Sequence, residues 1–259
     1  MAGQSAATQV LAGGHELGGT TPGFTAVPGG RPLLDAVAEA LAAGEGPVCV
    51  VPMTLGRDPK LIADTARALH WLAEGEGAGR LVLSEPFGTK DHLTGWLRAA
   101  AGKAVGGMAA AGKPAAPDAP RTAILVTAPA AGPFEDADLF RVARLVRQYG
   151  QHRLVEVAFA AGDPGLAEGA ERCRLLGAER VVMIPAAFGP SGAEQVAGAE
   201  DGGPLLSASA IDGVIAARTA EALHRLAHGD NGIAAGRDAE HGHGYAHSHG
   251  PGTSPHTHH

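Results

Sequence analysis

The sequence has few aromatic residues, few cysteines and no long apolar run. Phe, Trp and Tyr make up 4% of its 259 residues. The two cysteines, Cys49 and Cys173, form neither a disulfide framework nor a Cys-x-x-Cys site. No apolar stretch approaches the roughly 20 residues of a transmembrane helix, and the polar start MAGQSAATQ lacks the apolar segment of a signal peptide. We therefore expect a cytoplasmic protein with no membrane partner.

Positive charge is also scarce. Twenty Lys and Arg residues stand against 27 Asp and Glu residues, so the formal net charge is −7. A protein that binds nucleic acid or an anionic membrane needs clustered positive charge, and we therefore expect neither partner. The 13 histidines add a dependence on pH and bound metal, because protonating all of them would move the net charge from −7 to +6.

Motifs of several enzyme classes are missing as well. The chain has no Gly-rich Walker loop, no dinucleotide fingerprint and no Gly-x-Ser-x-Gly elbow. We therefore expect no organic cofactor.

Two segments of similar size, 8–101 and 121–228, are predicted to form two similar lobes. Each opens with an apolar strand, TQVLAGG in the first and RTAILVTAP in the second, and continues into a helical pattern of apolar residues. Residues 102–120 are rich in Gly, Ala and Pro and predict a linker. Residues 189–204 predict a mobile loop, and the polar segment 229–259 predicts a disordered tail.

Apolar strands alternate with helices along both segments, which predicts an α/β fold of small parallel sheets flanked by helices. Ligands of such folds bind beyond the C-terminal ends of the strands. Within the segments, VCVVPMTLGRDPKLIADTARAL and LVEVAFAAGDPGLAEGAERCRLL each place Asp-Pro between a strand and a helix. We interpret this echo as a duplication, in which Asp58 and Asp163 cap helices that begin with Pro59 and Pro164.

The first candidate site residues follow the opening strand, in GGHELGG. His15 can bind a metal or move a proton, and Glu16 can either act as a base or lie on the other side of the turn. The alternative is a histidine that hydrogen-bonds the loop backbone. After the next strand, Arg57 can pair with a carboxylate of a ligand, and Asp58 can be an acid–base group or a metal ligand. The alternative is a solvated Arg57 beside a helix-capping Asp58.

Two further groups of residues are candidates for metal binding. After the following strand, SEPFGTKDHL offers Glu85 and His92, which can reach the same mouth as His15, although His92 can equally be a surface residue. In the tail, seven of the last 19 residues are histidine, a density that binds first-row divalent metals. We predict a native metal-gathering tail, not an expression tag, because Gly, Ser, Thr and Pro interrupt the histidines. Its candidate ligands are His241, His243, His247 and His249.

Taken in order, these motifs resemble those of the class II tetrapyrrole chelatases, specifically the sirohydrochlorin cobalto-/ferrochelatase family of cobalamin and sirohaem synthesis. The resemblance covers most of residues 8–228. GGHELGG resembles the family's strand ending in His-Gly, and VVPMTLG and VVMIPAAFG resemble its Val-Val-x-Pro strand with a Gly-rich loop. FGTKDHL is similar to the turn before its later helix. Long bacterial members have two such halves and often a His-rich end, as this chain does.

The resemblance implies two facing α/β lobes around a central cleft that takes a tetrapyrrole, with His15 as the first catalytic histidine. The chain departs from the family where the second histidine is expected, because the sequence has no histidine at or next to position 58. Glu16 stands where the family has glycine. The second half reads APAAGP where the first reads GGHELG, as in families in which one half stays active.

The activity that follows from the resemblance is insertion of a divalent metal, Co²⁺ first and Fe²⁺ or Ni²⁺ next, into sirohydrochlorin or a related tetrapyrrole. The metal is a substrate. Arg57 and Lys90 are predicted to hold carboxylates of the macrocycle, and the tail to raise the local metal concentration. The predicted metal ligand and base is His15, assisted by Glu16, Asp58, Glu85 or His92.

Two other functions are compatible with the sequence. One is a non-catalytic relative of the chelatases that stores or delivers Ni, Co or Zn through its His-rich tail. The other is a bilobal ligand-binding module of the periplasmic type, which the missing export signal disfavours. The sequence leaves the oligomeric state open.

Overall fold

The computed structural model describes residues 7–19, 23–106 and 121–239. They contain two four-stranded sheets in which every strand pair is parallel, each flanked by helices. The predicted α/β fold with two similar lobes is therefore confirmed. No helix in these three ranges is both long and apolar enough to cross a membrane.

The first lobe is built around two central strands that end level with each other. The pair β1 and β3 is in register from Thr8 opposite Val48 to Gly13 opposite Met53, and every residue of β3 is buried. The sheet order is β2-β1-β3-β4. The strands of this lobe are β1 (Thr8–Gly13), β2 (Val27–Pro28), β3 (Val48–Met53) and β4 (Leu81–Leu83), and its helices are α1 (Arg31–Ala42), α2 (Pro59–Glu74) and α3 (Lys90–Gly106).

The second lobe repeats this strand order. Its sheet runs β6-β5-β7-β8, so that in both lobes the first strand lies between the second and the third. The lobes differ after the first strand, where the second has a 17-residue helix and the first has the short 3₁₀ turn His15–Leu17. The strands are β5 (Thr122–Pro129), β6 (Leu154–Ala160), β7 (Arg180–Pro185) and β8 (Ala199–Asp201), and the helices are α4 (Pro133–Tyr149), α5 (Leu166–Leu175) and α6 (Ala208–Ala227).

The internal echo does not connect equivalent parts of the two lobes. It aligns β3 with β6, but β3 is a central strand and β6 lies at the edge of its sheet. Asp58 does cap α2, since its carboxylate accepts the Leu61 N–H at 2.9 Å. Asp163 does not cap α5, because the Pro164 carbonyl accepts the Phe159 N–H and holds this segment against β6, so that the helix begins only after Gly165.

Two predicted segment boundaries are also corrected. Helix α3 continues to Gly106, into the segment predicted as a linker, whose residues 107–120 lie outside the described residues. Residues 189–204 are not simply a loop, because they contain the 3₁₀ turn Ala193–Gln195 and strand β8, which pairs with the open edge of β7. The Ser191 hydroxyl donates a hydrogen bond to the Asp201 carboxylate at 2.8 Å and so connects the start of this segment to β8.

The segment predicted as a disordered tail begins with ordered structure. Helix α7 (Ile233–Arg237) packs against α2, and Ile233 is buried in the core of the first lobe. The N–H of Leu83, on the edge strand β4, donates to the Asn231 carbonyl at 2.9 Å. An edge strand leaves backbone groups unpaired, and this segment pairs one of them. The candidate ligands His241, His243, His247 and His249 lie outside the described residues.

One apolar core runs through both lobes because their last helices are exchanged. Helix α6 of the second lobe packs on β3 and β4, while α3 of the first lobe packs on β7 and α4. The Gln9 side-chain amide on β1 donates to the Thr219 hydroxyl on α6 at 3.1 Å. Buried residues of both sheets and both helices form one continuous cluster. The lobes are thus joined through their hydrophobic core.

The turn after β3 requires glycine at position 56. Gly56 has φ +100°, and an added Cβ would lie 2.4 Å from the Lys90 amide nitrogen, at the start of α3. Neither the backbone conformation nor the neighbouring backbone leaves room for a side chain. This close approach fixes the loop that carries Asp58 against the loop before α3.

We therefore predict that Gly56→Ala lowers the free energy of unfolding by about 3 kcal/mol, from backbone strain and steric overlap. The measurement is urea denaturation followed by circular dichroism. The control is Gly95→Ala in α3, where an added Cβ meets no atom within 4 Å. This variant should be more stable than wild type by about 0.5–1 kcal/mol, because alanine favours a helix. Equal stabilities of the two variants would contradict the prediction.

Candidate functional site

The candidate site lies at the C-terminal ends of β1 and β3. In the order β2-β1-β3-β4, the chain continues from β1 to β2 on one side of β1, and the following strand, β3, lies on the other side. The topological switch point is therefore between β1 and β3. Open parallel sheets bind ligands at such points. His15 follows β1 by two residues and Thr54 follows β3 directly, so the level strand ends bring the two loops together.

The site is centred on a contact between His15 and Asp58. The Nδ1 atom of His15 lies 3.0 Å from Oδ2 of Asp58, whose other oxygen caps α2. Asp58 therefore caps α2, one of the two alternatives that the sequence offered, and also contacts His15. Gly14 permits the approach, since a Cβ there would lie 2.2 Å from the same Oδ2.

This contact shifts both pKa values in favour of the charged forms. Burial acts to lower the pKa of His15, but the hydrogen bond to Asp58 and the charges of Asp58 and Glu16 outweigh it, so the pKa is raised. Burial acts to raise the pKa of Asp58, but hydrogen bonds from His15 and the Leu61 amide outweigh it, so the pKa is lowered. The pair is stabilised as an imidazolium and a carboxylate.

The second ring nitrogen of His15 has no hydrogen bond within the described residues. The Nε2 atom is shielded from solvent and has no hydrogen-bond partner among the described residues, although the side chain as a whole is 25% exposed. When the neutral ring donates its Nδ1–H to Asp58, the lone pair is on Nε2. Metal-binding histidines are typically held in this way, with one nitrogen on a carboxylate and the other on the metal.

Glu16 is completely buried beside His15. Its Oε2 atom accepts hydrogen bonds from the Thr54 hydroxyl and from the Leu55 N–H, the latter at 3.0 Å. Its Oε1 atom has no partner within the described part of the chain. Burial raises the pKa of Glu16, although the Thr54 hydroxyl and the Arg57 charge oppose this. The side chain is thus a base with one unoccupied oxygen.

Arg57 and Lys90 both form ion pairs that join the lobes. Arg57 is 0% exposed, its Nη2 lies 3.2 Å from Asp136, and its Nε donates to the Glu135 carbonyl at 3.3 Å. Lys90 forms an ion pair with Asp138. All three acceptors lie at the start of α4. The role of both cations in holding a substrate stays a prediction. Burial lowers the pKa of Arg57, against the charges of Glu16 and Asp136.

Glu85 and His92 do not meet His15. Glu85 faces α6, where its carboxylate lies 3.8 Å from Arg225. The His92 ring stacks on Trp96 at 5.5 Å between centroids, and its Nδ1 accepts the Thr89 N–H at 3.2 Å. Neither side chain has a hydrogen bond or ion pair with His15 within the described residues, and the expectation that they share its mouth stays a prediction. Across the described ranges, no three His, Cys, Asp or Glu side chains are placed to hold a metal together.

Thr54 is the site residue that the sequence did not single out. Its buried hydroxyl donates to Glu16 and accepts the N–H groups of Gly56 and Asp58, at 3.0 and 3.2 Å. A threonine is not titratable, so a search for acids, bases and metal ligands passes over it. The available signal was its position directly after a buried strand, where ligand-binding residues of parallel sheets lie.

Two solved structures share this fold. SirB from Bacillus subtilis, solved with Fe³⁺, is 14% identical; the match covers 83% of this chain and 94% of SirB, with a TM-score of 0.52. DR2241 from Deinococcus radiodurans is 20% identical; the match covers 83% of this chain and 55% of DR2241, with a TM-score of 0.50. DR2241 is described as a multi-domain protein with structural similarity to chelatases and two additional novel domains. No protein-family model and no curated protein matches the sequence. The likeness shows a chelatase-like fold.

We predict that Asp58→Asn lowers the pKa of His15. The substitution removes the carboxylate that raises this pKa and leaves burial, which acts to lower it. The measurement is an NMR titration of the His15 ring protons, assigned by their absence in His15→Ala. Asp35→Asn, on the exposed face of α1, serves as the control and should leave the titration unchanged. An unchanged His15 pKa in Asp58→Asn would show that the two side chains are not in contact in solution.

We also predict that Asp136→Asn destabilises the protein by about 2–3 kcal/mol, because it leaves the buried Arg57 charge without its carboxylate. Here too, Asp35→Asn is the matched control, since it breaks an ion pair with Arg31 whose partners are both exposed. That control should cost less than about 0.5 kcal/mol. Thermal and urea unfolding measure both changes, and similar losses in the two variants would argue against a buried link between the lobes.

Proposed function

We propose that this protein is a metal chelatase that inserts a divalent ion into sirohydrochlorin or a related tetrapyrrole of cobalamin or sirohaem synthesis. The observation that carries the proposal is His15, held by Asp58 through Nδ1 and unpartnered at Nε2, at the switch point of the first sheet. The shared fold with SirB, solved with Fe³⁺, and with the chelatase-like DR2241 supports it. Co²⁺ is the first ion to test, and Fe²⁺ and Ni²⁺ come next, since imidazole binds all three.

Metal insertion requires that the ion lose its water ligands and that two pyrrole nitrogens lose their protons. The neutral imidazole of His15 binds the ion through Nε2, and its Nδ1–H bond to Asp58 makes the ring a stronger ligand and base. As the ion passes to the macrocycle, Nε2 accepts one pyrrole proton, and the electron pair of the broken N–H bond stays on the pyrrole nitrogen to bind the metal. Asp58 then stabilises the imidazolium.

The second pyrrole proton needs another acceptor, and Glu16 is suited to this role. Its Oε1 atom is unpartnered and burial raises its pKa, so the carboxylate gains from taking up a proton. Nε2 and Oε1 are both shielded from solvent, and substrates therefore reach them only after the covering residues move. The turn that carries both side chains is held to the second lobe by the Phe188 N–H, which donates to the Glu16 carbonyl at 2.9 Å.

We predict that the wild-type protein inserts Co²⁺ into sirohydrochlorin and that His15→Ala lowers kcat/KM by at least about 100-fold. The measurement is the change in absorbance of the macrocycle on metal insertion. The control is His70→Ala, a histidine on α2 that pairs with Glu74, which should leave kcat/KM within about twofold of wild type. A wild-type protein that inserts none of Co²⁺, Fe²⁺ and Ni²⁺, or an unimpaired His15→Ala, would disprove the mechanism.

The second candidate is a non-catalytic metal store or delivery protein, favoured by the seven histidines of 241–259. Titration of sirohydrochlorin against a chain that ends at residue 239 separates the two functions. A chelatase still binds the macrocycle, whereas a store binds no macrocycle and loses its tight Ni²⁺ or Co²⁺ binding together with the tail.

A further inference from the structure

The Thr54 hydroxyl connects the Glu16 carboxylate with the backbone N–H of Asp58 through one oxygen atom. A hydroxyl has one proton to donate and two lone pairs that accept. Both lone pairs of Thr54 are occupied, by the N–H groups of Gly56 at 3.0 Å and of Asp58 at 3.2 Å. The single O–H is therefore directed to Oε2 of Glu16, with which it is in hydrogen-bond contact.

This arrangement makes the two oxygens of Glu16 unequal. Oε2 accepts two hydrogen bonds, from the Thr54 hydroxyl and the Leu55 N–H, while Oε1 accepts none within the described residues. An oxygen that already accepts two hydrogen bonds is the weaker base of the pair. A proton or a cation that reaches Glu16 is thus directed to Oε1, and the carboxylate group cannot rotate without breaking both hydrogen bonds.

The same hydroxyl also fixes the position of Asp58. Its bond to the Asp58 N–H closes the turn after β3 and sets the start of α2, where Asp58 caps the Leu61 N–H and pairs with His15. The turn is tight enough that Gly56 is required in it. Thr54 therefore acts on the His15–Asp58 pair and on Glu16 from the same position, without an exposed surface of its own.

We infer that Thr54 is a positioning residue of the proposed chelatase site, whose hydroxyl holds Glu16 with Oε1 as its reactive oxygen and holds Asp58 against His15. The inference rests on the proposed function for its catalytic meaning, and on the hydrogen bonds of Thr54 for its geometry. Nothing in it requires Thr54 to touch the metal or the macrocycle.

The test compares full-length Thr54→Val and Thr54→Ser. Valine keeps the shape and removes the hydroxyl, and we expect kcat for Co²⁺ insertion to fall about 100-fold, with KM for sirohydrochlorin within about threefold of wild type. Serine keeps the hydroxyl and should restore kcat to within about threefold of wild type. The control is Thr65→Val in α2, because Thr65 is equally buried and its hydroxyl has no partner among the described residues. It should behave as wild type.

Equal losses in the valine and serine variants, or a fully active Thr54→Val, would overturn the inference. If Thr54→Val does not fold, Thr54→Cys replaces it: a thiol is a weak donor, so kcat should fall about 10-fold, and wild-type activity would count against the role of the hydroxyl.

Crystal structures separate this inference from the proposed function. If the wild-type protein inserts no metal, the proposed function fails, and the geometry is judged from the structure of Thr54→Val or, failing that, Thr54→Cys. We expect the Glu16 carboxylate to leave the Leu55 N–H, or the His15–Asp58 distance to lengthen beyond its 3.0 Å. Unchanged positions of Glu16 and Asp58 would show that Thr54 does not position them.

Discussion

The pairing of β1 with β3 is the constraint on which the candidate site depends. Because the two strands end level, at Gly13 and Met53, the next residues of each chain segment meet above the same point of the sheet. His15 comes from one segment, and Thr54 and Asp58 come from the other. The register extends over six residue pairs, and every residue of β3 is buried in the core. The core thus determines where the imidazole and the carboxylate lie.

Burying charge at this point is costly, and the structure compensates for the cost within the lobe interface. Arg57 is fully buried, and it is stabilised by Asp136 and the Glu135 carbonyl of the second lobe and by the nearby charge of Glu16. Lys90 repeats this link with Asp138. The same charges that complete the site therefore hold the lobes together, in addition to the apolar core that α3 and α6 share.

The sequence was sufficient for features that depend on local pattern. Continuous apolar runs identified the central strands, and position after a strand identified His15 and Asp58. The sequence could not identify the partners of Arg57 and Lys90, because these lie about 80 and 50 residues further along the chain, on a helix that is brought there by packing of the whole second lobe. The sequence also did not predict the ordered structure within residues 229–239. This segment pairs with the edge strand β4 through its backbone, and such pairing leaves no pattern in the side chains of the segment.

The two lobes have the same strand order, but their connections differ in two places. One is after the first strand, where the site is built, and the other is after the third strand, where the first lobe has α2 and the second has the 3₁₀ turn Ala193–Gln195. After β5 the second lobe forms α4, whose first turns present Glu135, Asp136 and Asp138. After β1 the first lobe forms a 3₁₀ turn, which presents His15 and Glu16 in their place. The acids of α4 and the turn that carries His15 and Glu16 thus stand at equivalent connections of the two lobes, and the acids reach across to Arg57, after β3, and Lys90, after β4.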